Sequence, residues 1–253
     1  MIDFFLSFFA HPSAIGIGLA IIFGAIWLAG YWPPLFKRGW LWAVMAASAI
    51  VTLLGISFIQ IPLQSLLGQV IVGLVGLPAA MQWLMLAGLP GILVTGFVQE
   101  GTKLLPVFLY VKREGEPVSP QFGLVLGAVA GAGFGIFEAQ WIHNVIIASG
   151  WTWQSVQTSG LIAMAGFWER YFAVGFHVAS SALAGYGLAR GKGWQFYVLA
   201  SLLHAALNYM SLLLQANLLP AVGVEVLIAV IAILTAAAAL LLRWRVPGRG
   251  SSV

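Results

Sequence analysis

Six residues of this 253-residue chain carry groups able to move a proton or hold a cation from within apolar surroundings: Glu100, Lys103, Glu138, His177, His204 and Asn208. Glu100 and Lys103, in "VQEGTKLLP", are three residues apart, share a helix face and can form an ion pair. His204 and Asn208, in "LLHAALNYM", are four apart and share a face as well. Glu138 interrupts the small-residue run "GAGFGIFEAQ", and His177 sits in "FAVGFHVASSALAG" with Ser180 and Ser181 one turn away. A charge at the centre of a bilayer costs at least ~2.5 kcal/mol, so each of these groups needs a partner or a task. Taken singly, the plain reading is structural: an ion pair that locks two helices, a histidine that is hydrogen-bonded packing. Two carboxylates, two imidazoles and an amide on four separate apolar segments point instead to proton handling or to hydrolysis by an activated water.

Several chemistries are excluded by inspection. The chain has no cysteine, which removes thiol nucleophiles, disulfides and Cys-ligated zinc. The stretch "QTSG" at 157–160 lacks the first glycine of a Gly-x-Ser-Gly serine protease motif. Asp3 is the only aspartate, so an aspartyl dyad is impossible, and no His-Glu-x-x-His occurs. Glu138, His177 and His204 offer a His₂Glu ligand set of the kind found in some catalytic zinc sites, which keeps a metal mechanism as an alternative. Arg170, seven residues before His177, reads as a helix-end anchor paired with Glu169 or a lipid headgroup.

The elements that must position these groups are membrane spans. With 61% hydrophobic and 7% charged residues, the composition lies far from soluble-domain averages. The net charge of +4 is too small and too scattered for a nucleic-acid-binding face. Candidate spans fall at about 13–32, 40–59, 92–111, 121–147, 166–189, 194–215 and 219–242. Residues 61–91 are apolar but broken by Pro78 and Pro90, and read as either one kinked span or a re-entrant pair of half-helices. Lys37/Arg38, Lys112/Arg113, Arg190/Lys192 and Arg243/Arg245/Arg249 would all face the cytoplasm if the chain makes seven crossings with its N-terminus outside. Residues 1–10 read as an interfacial apolar lead-in without the charged start of a signal peptide, the loop residues Glu114 and Glu116 as solvated, and the tail "VPGRGSSV" as disordered.

Depth and packing bear on the site. At ~1.5 Å per residue, Glu100, His177 and His204 lie ~16–20 Å from their cytoplasmic ends, whereas Glu138 counts out nearer ~25 Å. Gly123, Gly127, Gly131 and Gly135 recur every four residues and form a bare stripe that lets another helix approach, turning Glu138 into the bundle.

Four blocks, "QEGTKLLPVFLYVKR", "GAGFGIFEAQ", "ERYFAVGFHVASSALAGYGLARGKG" and "LLHAALNY", resemble those of the PrsW and YhfC group of intramembrane proteases, distant relatives of the CAAX prenyl protease and bacteriocin-processing family. The group's pattern, Glu-Glu-x-x-Lys, Phe-x-x-x-Glu, a lone His and His-x-x-x-Asp/Asn, falls here on Gln99-Glu100-x-x-Lys103, Phe134-x-x-x-Glu138, His177 and His204-x-x-x-Asn208. Gln99 departs from it, because it stands where the relatives have the first glutamate and cannot act as a base.

The resulting expectation is an all-α polytopic bundle of seven to eight spans forming a single domain over residues 1–253, with the motif-bearing core at 92–215. The expected function is intramembrane endopeptidase: Glu100 or Glu138 activates water, and His177, His204 and Asn208 position it and stabilise the oxyanion, with Lys103 and Gln99 in support. No cofactor is expected, because the positive charge of Lys103 near Glu100 would oppose a dication and the relatives' carboxylate pair suits water activation, with zinc as the alternative. The partners are the lipid bilayer and a membrane-embedded peptide, and the location is a bacterial-type plasma membrane. A proton- or ion-coupled transporter and a non-catalytic peptide-binding scaffold are the rival readings.

Overall fold

The computed structural model describes residues 1–114 and 117–245. Glu116 and the tail "VPGRGSSV" lie outside the described residues. Seven helices carry the architecture. They are α2 (Ala14–Ala29), α3 (Trp40–Gly55), α7 (Leu89–Glu114), α8 (Pro120–Ala148), α10 (Ala165–Ala189), α11 (Gly193–Gln215) and α12 (Ala221–Arg245). Shorter pieces connect them: α1 (Ile2–Ser7), α4 (Ile61–Val75), α5 (Leu77–Gln82), α6 (Leu84–Ala87) and α9 (Trp153–Ser159). No strand occurs among the described residues. In an apolar solvent a helix satisfies its own backbone, so a chain of this composition has few other options.

Six of these helical stretches are long and apolar enough to cross a membrane, which makes the chain an integral multi-pass membrane protein. The 16-residue α2 is apolar but shorter, so the expected seven to eight spans are only roughly met. The largest departure concerns residues 61–75. They do not open a new span but prolong the second helix, which runs unbroken from Trp40 to Val75 through a π-helical turn at Ile56–Gln60. Pro62 explains the turn. Its ring cannot follow a regular α-helical carbonyl four residues back, and a π turn absorbs the misfit. Gly76, with φ of 78°, then ends α4 and the chain returns through α5 and α6.

The centre of the bundle is α8 against α10. Residues Gly123–Gly135 of α8 are buried on every face, as are Phe172–Gly187 of α10, so both are enclosed by the other helices. The glycine stripe makes this possible. A Cβ at Gly127 would strike the Ser181 carbonyl, and one at Gly131 the His177 carbonyl, four residues back along an antiparallel partner. Around this pair, α2 is tied to α10 by the Trp27 indole, which donates to the Tyr171 carbonyl at 2.8 Å. It is tied to α8 by His143 Nδ1 at 3.0 Å from the Gly16 carbonyl. The lead-in packs too: Phe8 is buried and its ring meets Trp141 at 4.8 Å.

Candidate active site

Glu100, Lys103, His177 and His204 meet at the centre of the bundle, none more than 2% exposed. Glu100 Oε1 is the hub. It accepts from Lys103 Nζ at 2.6 Å, from His204 Nδ1 at 2.7 Å and from Ser180 Oγ at 3.1 Å. Lys103 comes from the same helix one turn on, Ser180 from α10 and His204 from α11, so three helices converge on one oxygen. The other oxygen, Oε2, is buried and has no hydrogen-bond partner among the described residues.

The chain of contacts continues outward. Lys103 Nζ also lies 3.0 Å from His177 Nδ1, and His177 Nε2 lies 3.0 Å from Glu138 Oε2. Because an ammonium has only donors, Nδ1 accepts and Nε2 carries the proton that Glu138 receives; the tautomer is assigned from these partners. Glu138 Oε2 accepts a further bond at 2.8 Å from Arg170, whose remaining guanidinium nitrogens bind Glu169. His204, Glu100, Lys103, His177, Glu138 and Arg170 therefore form one unbroken series. Its inner members are sealed, while the Glu138 side chain is 19% exposed.

Glu138 joins the cluster although depth counting left it several ångströms away. Its helix is 29 residues long, and the stripe sets an antiparallel register in which Glu138 falls opposite Arg170, one to two turns from His177. Asn208 is half-buried, and among the described residues no hydrogen bond joins its side chain to the cluster. Gln99 turns away from its neighbour Glu100. Its Nε2 donates to Gln60 Oε1 at 3.0 Å, while Gln60 and Gln64 bind Thr95 at 3.3 and 2.8 Å.

Two participants escaped the sequence reading. Arg170 pairs with Glu138 as well as with the expected Glu169, which only the register between two helices reveals. Gln60 holds Gln99 from the π turn, and the overlooked signal was Pro62 beside it in "ISFIQIPLQ".

The donor set suits a metal ion. One ligand atom each from Glu100, His177 and His204 lie within 4.8 Å of one another. Glu100 Oε2 is a buried carboxylate oxygen with no hydrogen-bond donor among the described residues, so it is open to a further ligand. The grouping differs from the Glu138-based set, because Glu138 is engaged by Arg170 and serves His177 from its far nitrogen.

A family model described as PrsW family intramembrane metalloprotease matches residues 37–238. No curated protein and no solved structure matches the chain. The family description and the Glu100–His177–His204 group together overturn the expectation of a site without cofactor. That expectation rested on the positive charge of Lys103 repelling a dication. In the structure this charge is paired with Glu100 Oε1 at 2.6 Å, while Oε2 of the same carboxylate carries no hydrogen bond among the described residues.

Proposed function

Because the chain belongs to the PrsW family of intramembrane metalloproteases, we propose that it hydrolyses peptide bonds of membrane-embedded peptides at the Glu100–His177–His204 centre. The observation that carries this reading is the convergence of one ligand atom each from Glu100, His177 and His204 within 4.8 Å, beside a Glu100 Oε2 without a hydrogen-bond partner among the described residues, in the sealed core of a helical membrane bundle. When bound there, a zinc-type dication supplies Lewis-acid polarisation of the scissile carbonyl and makes water easier to ionise.

The protein's own groups do the rest. His177 is held by Glu138 through Nε2, an arrangement that fixes its tautomer and aims Nδ1 inward. Arg170 in turn holds Glu138 Oε2, so Glu138 keeps one orientation. The Glu138 side chain is 19% exposed against 1% for Glu100, so it is the carboxylate of the series within reach of water, and we assign to it the proton of the attacking water. Glu100 Oε1, saturated by three donors, is unsuited to that task. The enclosing glycine-packed helices exclude bulk water, so each charge acts with little dielectric screening. A substrate helix must unwind locally to expose a peptide bond in such a site, since its backbone is otherwise bonded internally.

The test is cleavage of a panel of transmembrane peptides by purified protein in detergent, with Glu100→Gln and His204→Ala as comparators. Cleavage by the wild type alone, lost to a chelator and restored by zinc, supports the proposal. The continuous series of polar contacts also favours a second reading, a proton relay in a transporter. Proton-driven uptake in liposomes without any cleavage would replace the protease by that reading.

A further inference from the structure

The position of Lys103 goes beyond this reading while resting on its metal centre. Lys103 is fully buried, and its Nζ lies 2.6 Å from Glu100 Oε1 and 3.0 Å from His177 Nδ1, two of the three residues of the ligand group. With His177 Nε2 committed to Glu138, Nδ1 is the nitrogen whose lone pair is free for a ligand, and the ammonium points at it. His204 has likewise turned Nδ1 onto Glu100 Oε1. Three donors therefore crowd one carboxylate oxygen while the other has none. A carboxylate loaded so unevenly in a sealed cavity is arranged around a small cation, and the side chain supplies one.

The geometry points to Lys103 as an internal stand-in cation that holds the metal-binding centre in its assembled shape and competes with the metal for it. An ammonium and a dication cannot both lie against His177 Nδ1, because each needs the same lone pair and the two repel. Metal entry thus displaces Lys103 Nζ from His177. The Phe134 ring face, its centroid 5.8 Å from Nζ, is an aromatic surface able to receive it. The site without metal is thereby protected from an unpaired buried carboxylate, and binding a metal carries the cost of breaking two charge-assisted bonds. A lysine that merely supported the metal site would behave in the opposite way.

Zinc affinity measures the difference. Full-length wild type, Lys103→Met and Glu100→Gln are titrated with zinc chloride against a fluorescent chelator in detergent. Lys103→Met, freed of the competing and repelling charge, is expected to bind zinc at least ~10-fold more tightly than the wild type, with Glu100→Gln showing no such site. Equal or weaker binding by Lys103→Met, with the wild-type site intact, overturns the stand-in role and leaves the metalloprotease reading untouched. No zinc bound at this centre by either protein overturns the metal assignment and the inference with it. Removing the lysine exposes a buried charge, so a second measurement uses the unmodified chain. Isotope-labelled reductive methylation followed by peptide mass spectrometry should find Lys103 protected without zinc and more reactive with it; protection that bound zinc leaves unchanged contradicts displacement.

Discussion

The bare backbone of Gly131 rests on the carbonyl oxygen of His177, so closely that a single added carbon would have no room. One helix thus sets the height and rotation of the imidazole on the next. Gly131→Ala should lower stability by about 1–3 kcal/mol through overpacking and move His177 away from Glu138. Gly18→Ala, where nothing lies within 4 Å, is the control and should leave both unchanged. Thermal unfolding in detergent decides; equal midpoints for the two variants would show that the stripe does not control the packing.

Glu100→Gln should abolish zinc binding and peptide cleavage together. Loss of a ligand is expected to exceed the ~10–100-fold typical of removing an outer partner. The substitution also leaves Lys103 buried without its counter-charge, so stability should fall by about 3–5 kcal/mol. Chelator titration and unfolding on one sample separate the two effects. Retained zinc stoichiometry would move the ligand role elsewhere.

Arg170→Gln should reduce kcat by about 10–100-fold with KM nearly constant, because Glu138 loses its clamp and His177 its fixed tautomer. Arg170→Lys should recover part of that loss, since a lysine keeps the charge without the two-pronged grip on Glu138 and Glu169. Unchanged kcat in Arg170→Gln would return this residue to the role of helix-end anchor.

The spans were legible in the sequence to within a few residues at most ends, because uninterrupted apolar runs and flanking basic residues mark them. So was the four-residue glycine stripe, and with it the inward turn of Glu138. What local pattern could not show is how each helix rotates about its axis in three-dimensional packing. His204 and Asn208 share a nominal face, yet only the imidazole reaches Glu100. Gln99 and Glu100 are adjacent, yet one faces Gln60 and the other His204. Which carboxylate would group with both imidazoles depended on these rotations, as did the meeting of Glu138 with Arg170.

Gln99→Glu should therefore act mainly through the amide cluster. The new carboxylate would face Gln60 Oε1 with no donor between them, and stability should drop by about 1–3 kcal/mol. Unfolding and cleavage rates measured on the same preparation test this. Full stability with an altered cleavage rate would place position 99 in the reaction instead.

The helix from Trp40 to Val75 has a consequence for the surrounding lipid. Its 36 residues make a rod of ~54 Å, against a hydrocarbon layer of ~30 Å. Kept straight, it would have to lean by roughly 56° to stay in hydrocarbon, outside the ~0–40° over which spanning helices tilt. Beyond Gln64 most of its exposed residues, including Leu66, Val70, Leu74 and Val75, are apolar and unsuited to water, with Ser65 and Gln69 the polar exceptions. The π turn at Ile56–Gln60 is where such a rod can bend. A bend there is expected to lay the distal arm along the leaflet rather than through it, while the Gln99–Gln60 hydrogen bond ties its root to the helix that carries Glu100.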